Sequence, residues 1–251
     1  AAHVMPSADA LAALPEANAP VLIRAVDPGL NQGKKEVVFV DTSVANYKDL
    51  EAGVRDGVEI AEISSTASGL AQLAQWAKTH EGYDSIHILS HGSTGTLNLG
   101  LDGINDASLG GATVQTELAL LGHALKAGGD LLIYGCDIAK GDDGVRFIAD
   151  LALATGADVA ASNDATGSAA MGGDWILEVQ QGDVQAAIPI NSNALNSYAD
   201  VLAAYSGTIG FNSHTNGGYG ATVDYTASVG SYTLKADGHL QGVDTLGYDR
   251  V

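Results

Sequence analysis

His91 and Cys136 are the two side chains of this sequence whose types and settings suggest covalent chemistry. His91 stands in Ser90-His91-Gly92-Ser93-Thr94-Gly95, directly after the apolar run Ile86-His87-Ile88-Leu89. Cys136, the only cysteine, stands in Gly135-Cys136-Asp137, directly after Leu131-Leu132-Ile133-Tyr134. Short apolar runs bounded by glycine read as buried strands, and in open α/β sheets reacting groups collect beyond the carboxyl ends of strands. Successive βαβ strands are often neighbours, which would put an imidazole and a thiol on adjacent ends. The imidazole could then take the thiol proton, the thiolate attack an acyl carbon, and the imidazolium protonate a leaving amine. The N–H groups of Gly92 and Cys136 are the expected oxyanion hole. Each residue alone has a plainer reading, as a small buried hydrophobe or a satisfied polar group at a strand end. Their joint placement after successive buried strands is what favours the dyad.

Around this pair, Asp41 follows the run Val37-Val38-Phe39-Val40 at the same expected edge and could orient an imidazole or line a pocket. Asp137, beside the cysteine, could line the pocket as well. Acids there would favour a basic substrate residue, although helix caps and turns are the commoner use of such aspartates. His87 lies inside its strand and is expected in the sheet. His80, His123, His214 and His239 have no partners at metal spacing, so no metal site is expected. Asp102, Asp106, Asp142, Asp143 and Asp164 sit in glycine-rich loops but follow neither the EF-hand spacing nor a calcium-binding nonapeptide. No cofactor is required by this chemistry, and calcium is retained only as a structural or activating ion. A serine nucleophile elbow, a P-loop and a dinucleotide fingerprint after a strand are all missing.

The elements that must carry the pair follow from the periodicities. Apolar runs at 37–40, 58–63, 86–89 and 131–134, with a fifth at 158–161, predict buried parallel strands. Between them, Leu70, Leu73, Ala74 and Ala77, then Val114, Leu118, Leu121 and Leu125, then Val145, Ile148, Ala149 and Ala152 recur at helical spacing. The expectation is an open, mostly parallel α/β sheet with helices on both faces. Gly182-Asp183 between Trp175–Val179 and Val184–Ile188 predicts a closing hairpin. Residues 1–33, broken by Pro6, Pro15, Pro20 and Pro28, read as an extended leader with one apolar strand at Val21-Leu22-Ile23. The α/β domain is expected over 34–202, and 203–251, rich in Gly, Tyr, Thr and Ser, as a β-rich appendage or the start of a further domain.

Composition limits the partners. In 251 residues, 11 Lys+Arg against 30 Asp+Glu give 11 − 30 = −19, with 16% of residues charged. Such a surface repels phosphate, and no basic cluster exceeds Lys34-Lys35, so neither nucleic acid nor an anionic membrane is expected as a partner. No apolar stretch approaches the ~18 residues of a transmembrane helix. One cysteine excludes an intramolecular disulfide or a thiolate metal cluster. The chain starts without Met or a signal peptide and ends abruptly at Gly-Tyr-Asp-Arg-Val251, which reads as a piece of a longer polypeptide.

A strand ending in His-Gly, followed after a helix by a strand ending in a small residue and Cys, resembles the caspase-fold cysteine peptidases. More closely, Val37–Asp41, Ile86–Gly92, Leu132–Asp137 and Gly172-Gly173-Asp174-Trp175 resemble DUF4347, a domain of unknown function near the N-termini of very large bacterial surface and biofilm adhesins, over about 36–202. The resemblance implies a secreted or cell-surface setting, repeat domains downstream and export by a type I route. Many caspase-fold peptidases carry Ala where this chain has Gly135. The function expected is a His91–Cys136 cysteine endopeptidase acting on its own chain or another protein, with the linkers at 1–33 and about 189–206 as exposed places to cut. The alternative is a non-catalytic module that keeps the fold. Oligomeric state is not legible.

Overall fold

The apolar runs become the inner strands of one sheet, because strands without a polar face must be covered on both sides. The computed structural model describes residues 5–203, 223–227 and 230–234. In chain order the elements are α1 (Ala8–Ala12), β1 (Val21–Arg24), β2 (Glu36–Asp41), α2 (Tyr47–Ala52), β3 (Glu59–Ile63), α3 (Gly69–Ala77) and β4 (Tyr83–Leu89). Then come β5 (His91–Ser93), β6 (Thr96–Leu99), β7 (Asp102–Asn105), α4 (Asp106–Leu109), α5 (Ala112–Ala124), β8 (Leu125–Tyr134) and α6 (Gly141–Thr155). They are followed by β9 (Asp158–Ala161), a 3-10 turn (Ala169–Met171), β10 (Val179–Gln181) and α7 (Ser192–Ser197).

The large sheet has the order β1-β3-β2-β4-β8-β9-β10. Its five inner strands are parallel, and β1 and β10 run antiparallel at the two edges. The chain goes out from β2 to β3, returns past β2 to β4, and continues to β8 and β9. The order therefore reverses between β2 and β4, where crossover connections leave in opposite directions and open a crevice at the carboxyl ends. This is the open α/β fold expected, with helices on both faces. Residues 21–24, read as part of a leader, add β1 to the sheet beside β3.

The two faces are covered differently. On one, α3, α5 and α6 press Leu70, Leu73, Trp76, Leu118, Leu121 and Phe147 onto alternate strand residues such as Phe39, Ile88 and Ile133. The carboxylate of Glu59 is buried there and accepts from Trp76 Nε1 (2.8 Å) and Tyr83 Oη (2.6 Å), so these three polar groups satisfy one another. The other face carries Val38, Val40, Leu132 and Tyr134 under the short helices α2 and α7 and the stretches at 175–177 and 184–188.

Two expectations change. The buried stripe of α6 is Gly144, Phe147, Ile148, Leu151 and Thr155, whereas Val145 is 50% exposed. Phe147, the largest apolar side chain available, sets the phase of the helix against the sheet. Nor do residues 184–188 form the second arm of a hairpin. The N–H groups of Gln185 and Ala186 donate to Asp130 Oδ2 (3.0 and 2.7 Å), so a side chain supplies the acceptor that a partner strand would have offered.

The chain divides into two units, Ala1–Ala204 and Tyr205–Val251. In the second, β11 (Val223–Ala227) and β12 (Gly230–Leu234) pair antiparallel. The rest of the β-rich segment expected there, with His214 and His239, lies outside the described residues.

Candidate active site

Strands β4 and β8 are neighbours, and Leu89 lies opposite Tyr134. His91 and Cys136 thus both stand two residues past the same rung, at the carboxyl edge beside the order reversal. The expected juxtaposition of strand ends is present. Ser90 N–H donates to Tyr134 O at 3.0 Å and continues the pairing one step beyond the strands.

His91 Nε2 lies 3.2 Å from the carbonyl oxygen of Ser43. A carbonyl only accepts, so Nε2 carries the proton and Nδ1 keeps its lone pair. Nδ1 is buried and has no hydrogen-bond partner. The imidazole is therefore held as a tautomer whose free nitrogen can take a proton. Ser43 is placed by Asp41, whose Oδ1 accepts from Ser43 N (2.8 Å) and Oγ (2.6 Å), an Asx-type turn. Asp41 Oδ2 accepts from Gly100 N (2.5 Å) and Ser90 Oγ (3.4 Å). Asp41 thus reaches the imidazole through the Ser43 turn and is itself buried by these contacts.

Cys136 is 3% exposed. Its Sγ accepts from Thr166 N–H at 3.2 Å and faces Thr166 O at 3.6 Å. Burial pushes the thiol pKa up and the Asp137 and Asp164 charges add to this, while the Thr166 and Leu202 amides oppose it. Near neutral pH the group is a thiol, and a nucleophilic role needs a base. No hydrogen bond joins it to His91 in the arrangement seen. The backbone around both residues is tight. A Cβ on Gly92 would stand 2.3 Å from Ile138 Cγ1, and one on Gly135 2.8 Å from Ile138 Cδ1 and 3.1 Å from Ser90 O. Without a side chain at Gly135 the two strand ends can close on each other.

The amides of Gly92 and Cys136 converge on a single acceptor, the carbonyl oxygen of Leu202, at 3.2 and 3.1 Å. Leu202 belongs to a short extended stretch laid over the strand ends. Leu202 N–H donates to Thr166 O (2.8 Å), Ser168 N–H donates to Asp200 O (2.8 Å), and Ala203 bridges to Gly92. Just before it, Tyr198 Oη donates to Ala45 O (2.8 Å) and Asn46 Nδ2 donates to Asp200 Oδ2 (2.7 Å). Sequence reasoning singled out both amides but not the carbonyl they bond, because a backbone carbonyl has no residue-type signature.

Asp137 stands apart from the pair. It has a left-handed backbone (φ 60°), and its carboxylate is held by Lys140 Nζ at 2.8 Å. Asp164, Asp174 and Glu178 each bring an oxygen within 4.8 Å of the others, a hard-oxygen set of the kind that divalent cations take. The last two come from a separate segment, which loop composition did not reveal. His87 is buried in the sheet as expected. Its Nε2 pairs with Ser85 Oγ at 2.9 Å, and burial, with Arg55 nearby, lowers its pKa to about 3. His80 stacks on Trp76, ring centroids 4.4 Å apart.

Among the described residues no helix is long and apolar enough to cross a membrane. No curated protein matches the chain. A solved structure titled "Crystal structure of a small-chain dehydrogenase" is similar at 12% identity and a TM-score of 0.29, over 49% of this chain and 77% of that one. The profile of DUF4347, described as a domain of unknown function, matches residues 37–202, which span all five inner strands, His91, Cys136 and Leu202. The chain belongs to the DUF4347 family.

Proposed function

We propose that this domain is a cysteine endopeptidase of caspase-like build, with Cys136 as nucleophile and His91 as base and then acid. The observation that carries the reading is the convergence of the Gly92 and Cys136 amides on one carbonyl oxygen beside the thiol. Two preorganised N–H donors on a single oxygen are what a tetrahedral oxyanion requires, and removing one such donor typically costs ~10²–10³ in rate. His91 supports it, since its Nδ1 is available for the thiol proton and its Nε2 is fixed on Ser43 O. Asp41 acts as a positioning residue through the Ser43 turn. In keeping with the family resemblance, the domain processes a large secreted or surface-bound bacterial adhesin. Calcium is the ion to vary in any assay, because Asp164 shares with Thr166 the segment that holds the thiol.

Purified wild type, Cys136→Ala and His91→Ala, incubated with calcium or chelator and weighed intact, test this reading. Fragments in wild type alone, with all three proteins folded by circular dichroism, are the expected outcome. A second reading, a non-catalytic module of an adhesin, is favoured by the burial of Cys136 and its raised pKa. It requires that Cys136 alkylate slowly and that His91→Ala leave that rate unchanged. The peptidase requires a rate that His91→Ala lowers.

A further inference from the structure

If Cys136 and His91 are a peptidase dyad, the carbonyl seated in their oxyanion hole identifies a substrate. We infer that the peptide bond Leu202–Ala203 is the bond this domain cuts, in its own chain. The inference rests on the peptidase reading and adds to it a bond, an acyl-side residue and a direction.

Three observations place this bond. The Leu202 carbonyl oxygen takes both amides, at 3.2 Å from Gly92 N and 3.1 Å from Cys136 N. The second of these is the nucleophile's own N–H, so the carbonyl carbon is held beside the residue that would attack it. The stretch is also bound as an extended substrate is, through main-chain pairing on both flanks. Val201 bridges to Gly167 on one side and Ala203 to Gly92 on the other, with Leu202 N–H on Thr166 O. Extended peptides bound by main-chain ladders, with a side chain in a pocket, are a general recognition mode. Finally, the Leu202 side chain is fully buried, in the apolar cluster that holds Val40, Leu89, Tyr134 and Tyr198. The acyl-side pocket therefore takes an apolar residue. The basic preference considered from Asp41 and Asp137 does not apply, since Asp41 is consumed by the Ser43 turn and Asp137 by Lys140.

The step balances without any further reagent than water. His91 Nδ1 takes the Cys136 Sγ proton, and the sulfur bonds to the Leu202 carbonyl carbon, whose oxygen becomes an anion on the two amides. Collapse breaks the Leu202 C–Ala203 N bond, and the imidazolium gives its proton to the leaving amine. A water, deprotonated by the same nitrogen, then hydrolyses the Leu202 thioester and returns the thiol. The products are a chain ending in the Leu202 carboxylate and a chain beginning Ala203-Ala204-Tyr205. Leu202 stays on the first chain, so its new carboxylate is left at the two amides when the second chain leaves.

The test uses the full chain at about pH 7.5, near the working range of an imidazole base, with calcium or chelator present, followed by intact mass and N-terminal sequencing. Fragments 1–202 and 203–251 are expected in wild type and absent in Cys136→Ala. Leu202→Met should keep the cut, whereas Leu202→Asp, which puts a charge in the apolar pocket, should slow it by about 100-fold or more. Cys136-dependent cleavage at a different bond overturns the inference and leaves the peptidase reading standing. An uncut wild type also overturns it, and the peptidase reading is then decided separately with a peptidyl-leucyl chloromethyl ketone. His91-dependent labelling of Cys136 by that probe retains the reading, and no labelling removes it too.

Discussion

The two faces of the sheet are built from different materials. One is covered by three helices of nine to fifteen residues whose side chains interlock with the strands. The other is covered by two six-residue helices and by extended stretches, the last of which, 200–203, closes the candidate site. Helices satisfy their own backbone and bring only apolar stripes, so they stabilise without offering N–H or C=O groups to a ligand. An extended cover must find backbone partners on what it covers, and it finds them at the strand ends that carry His91 and Cys136. The comparison teaches that the two faces do different work: the helical face fixes the strands, and the other face lays a hydrogen-bonded length of chain over their ends.

That division can be broken by experiment. The largest effect is expected for Phe147→Ala on the helical face, where a fully buried ring is replaced by a cavity. It should cost about 4 kcal/mol and roughly 10 °C in Tm, with the reactivity of Cys136 in the folded protein unchanged. Faster Cys136 alkylation well below Tm would show that the two faces are coupled. The next effect concerns Glu117, buried on α5, whose pKa burial and the Asp102 charge raise to about 7. The folded state holds this proton more tightly than the unfolded chain, whose value is 4.5, so stability is lost as pH rises from there through about 7. Glu117→Gln should thus stabilise by ~2 kcal/mol at about pH 8 and by nothing at about pH 4 in thermal melts. An equal shift at both pH values would mean a packing effect instead. The smallest effect belongs to the extended cover. Tyr198→Phe deletes the hydrogen bond to Ala45 O and should cost about 1 kcal/mol, raising the alkylation rate of Cys136 roughly fivefold for a Tm change under about 3 °C. An unchanged rate would mean that access is not governed at Tyr198.

Much of the helical face and of the strand ends can be read from the residues. Runs such as Leu131–Tyr134 are apolar on both faces, and His91 and Cys136 are marked by following such runs directly. What could not be read depends on the backbone or on distant partners. The phase of α6 turned on Phe147 outweighing Val145, which spacing alone does not decide. The missing hairpin at 184–188 depended on Asp130, more than fifty residues earlier. Residues 200–203 give no signal as a site component, because what they contribute is a carbonyl and a pair of ladder contacts. The trio Asp164, Asp174 and Glu178 assembles from two segments whose approach only the fold determines.

The carbonyl of Ser43 has a consequence for how this site would respond to change. A carboxylate that orients an imidazole ionises and can be deleted by one substitution. A main-chain oxygen does neither. The orienting group would then add no ionisation of its own, and no replacement at position 43 other than one that refolds the turn would remove it. Asp41, two residues away, acts on that group only through the Ser43 turn.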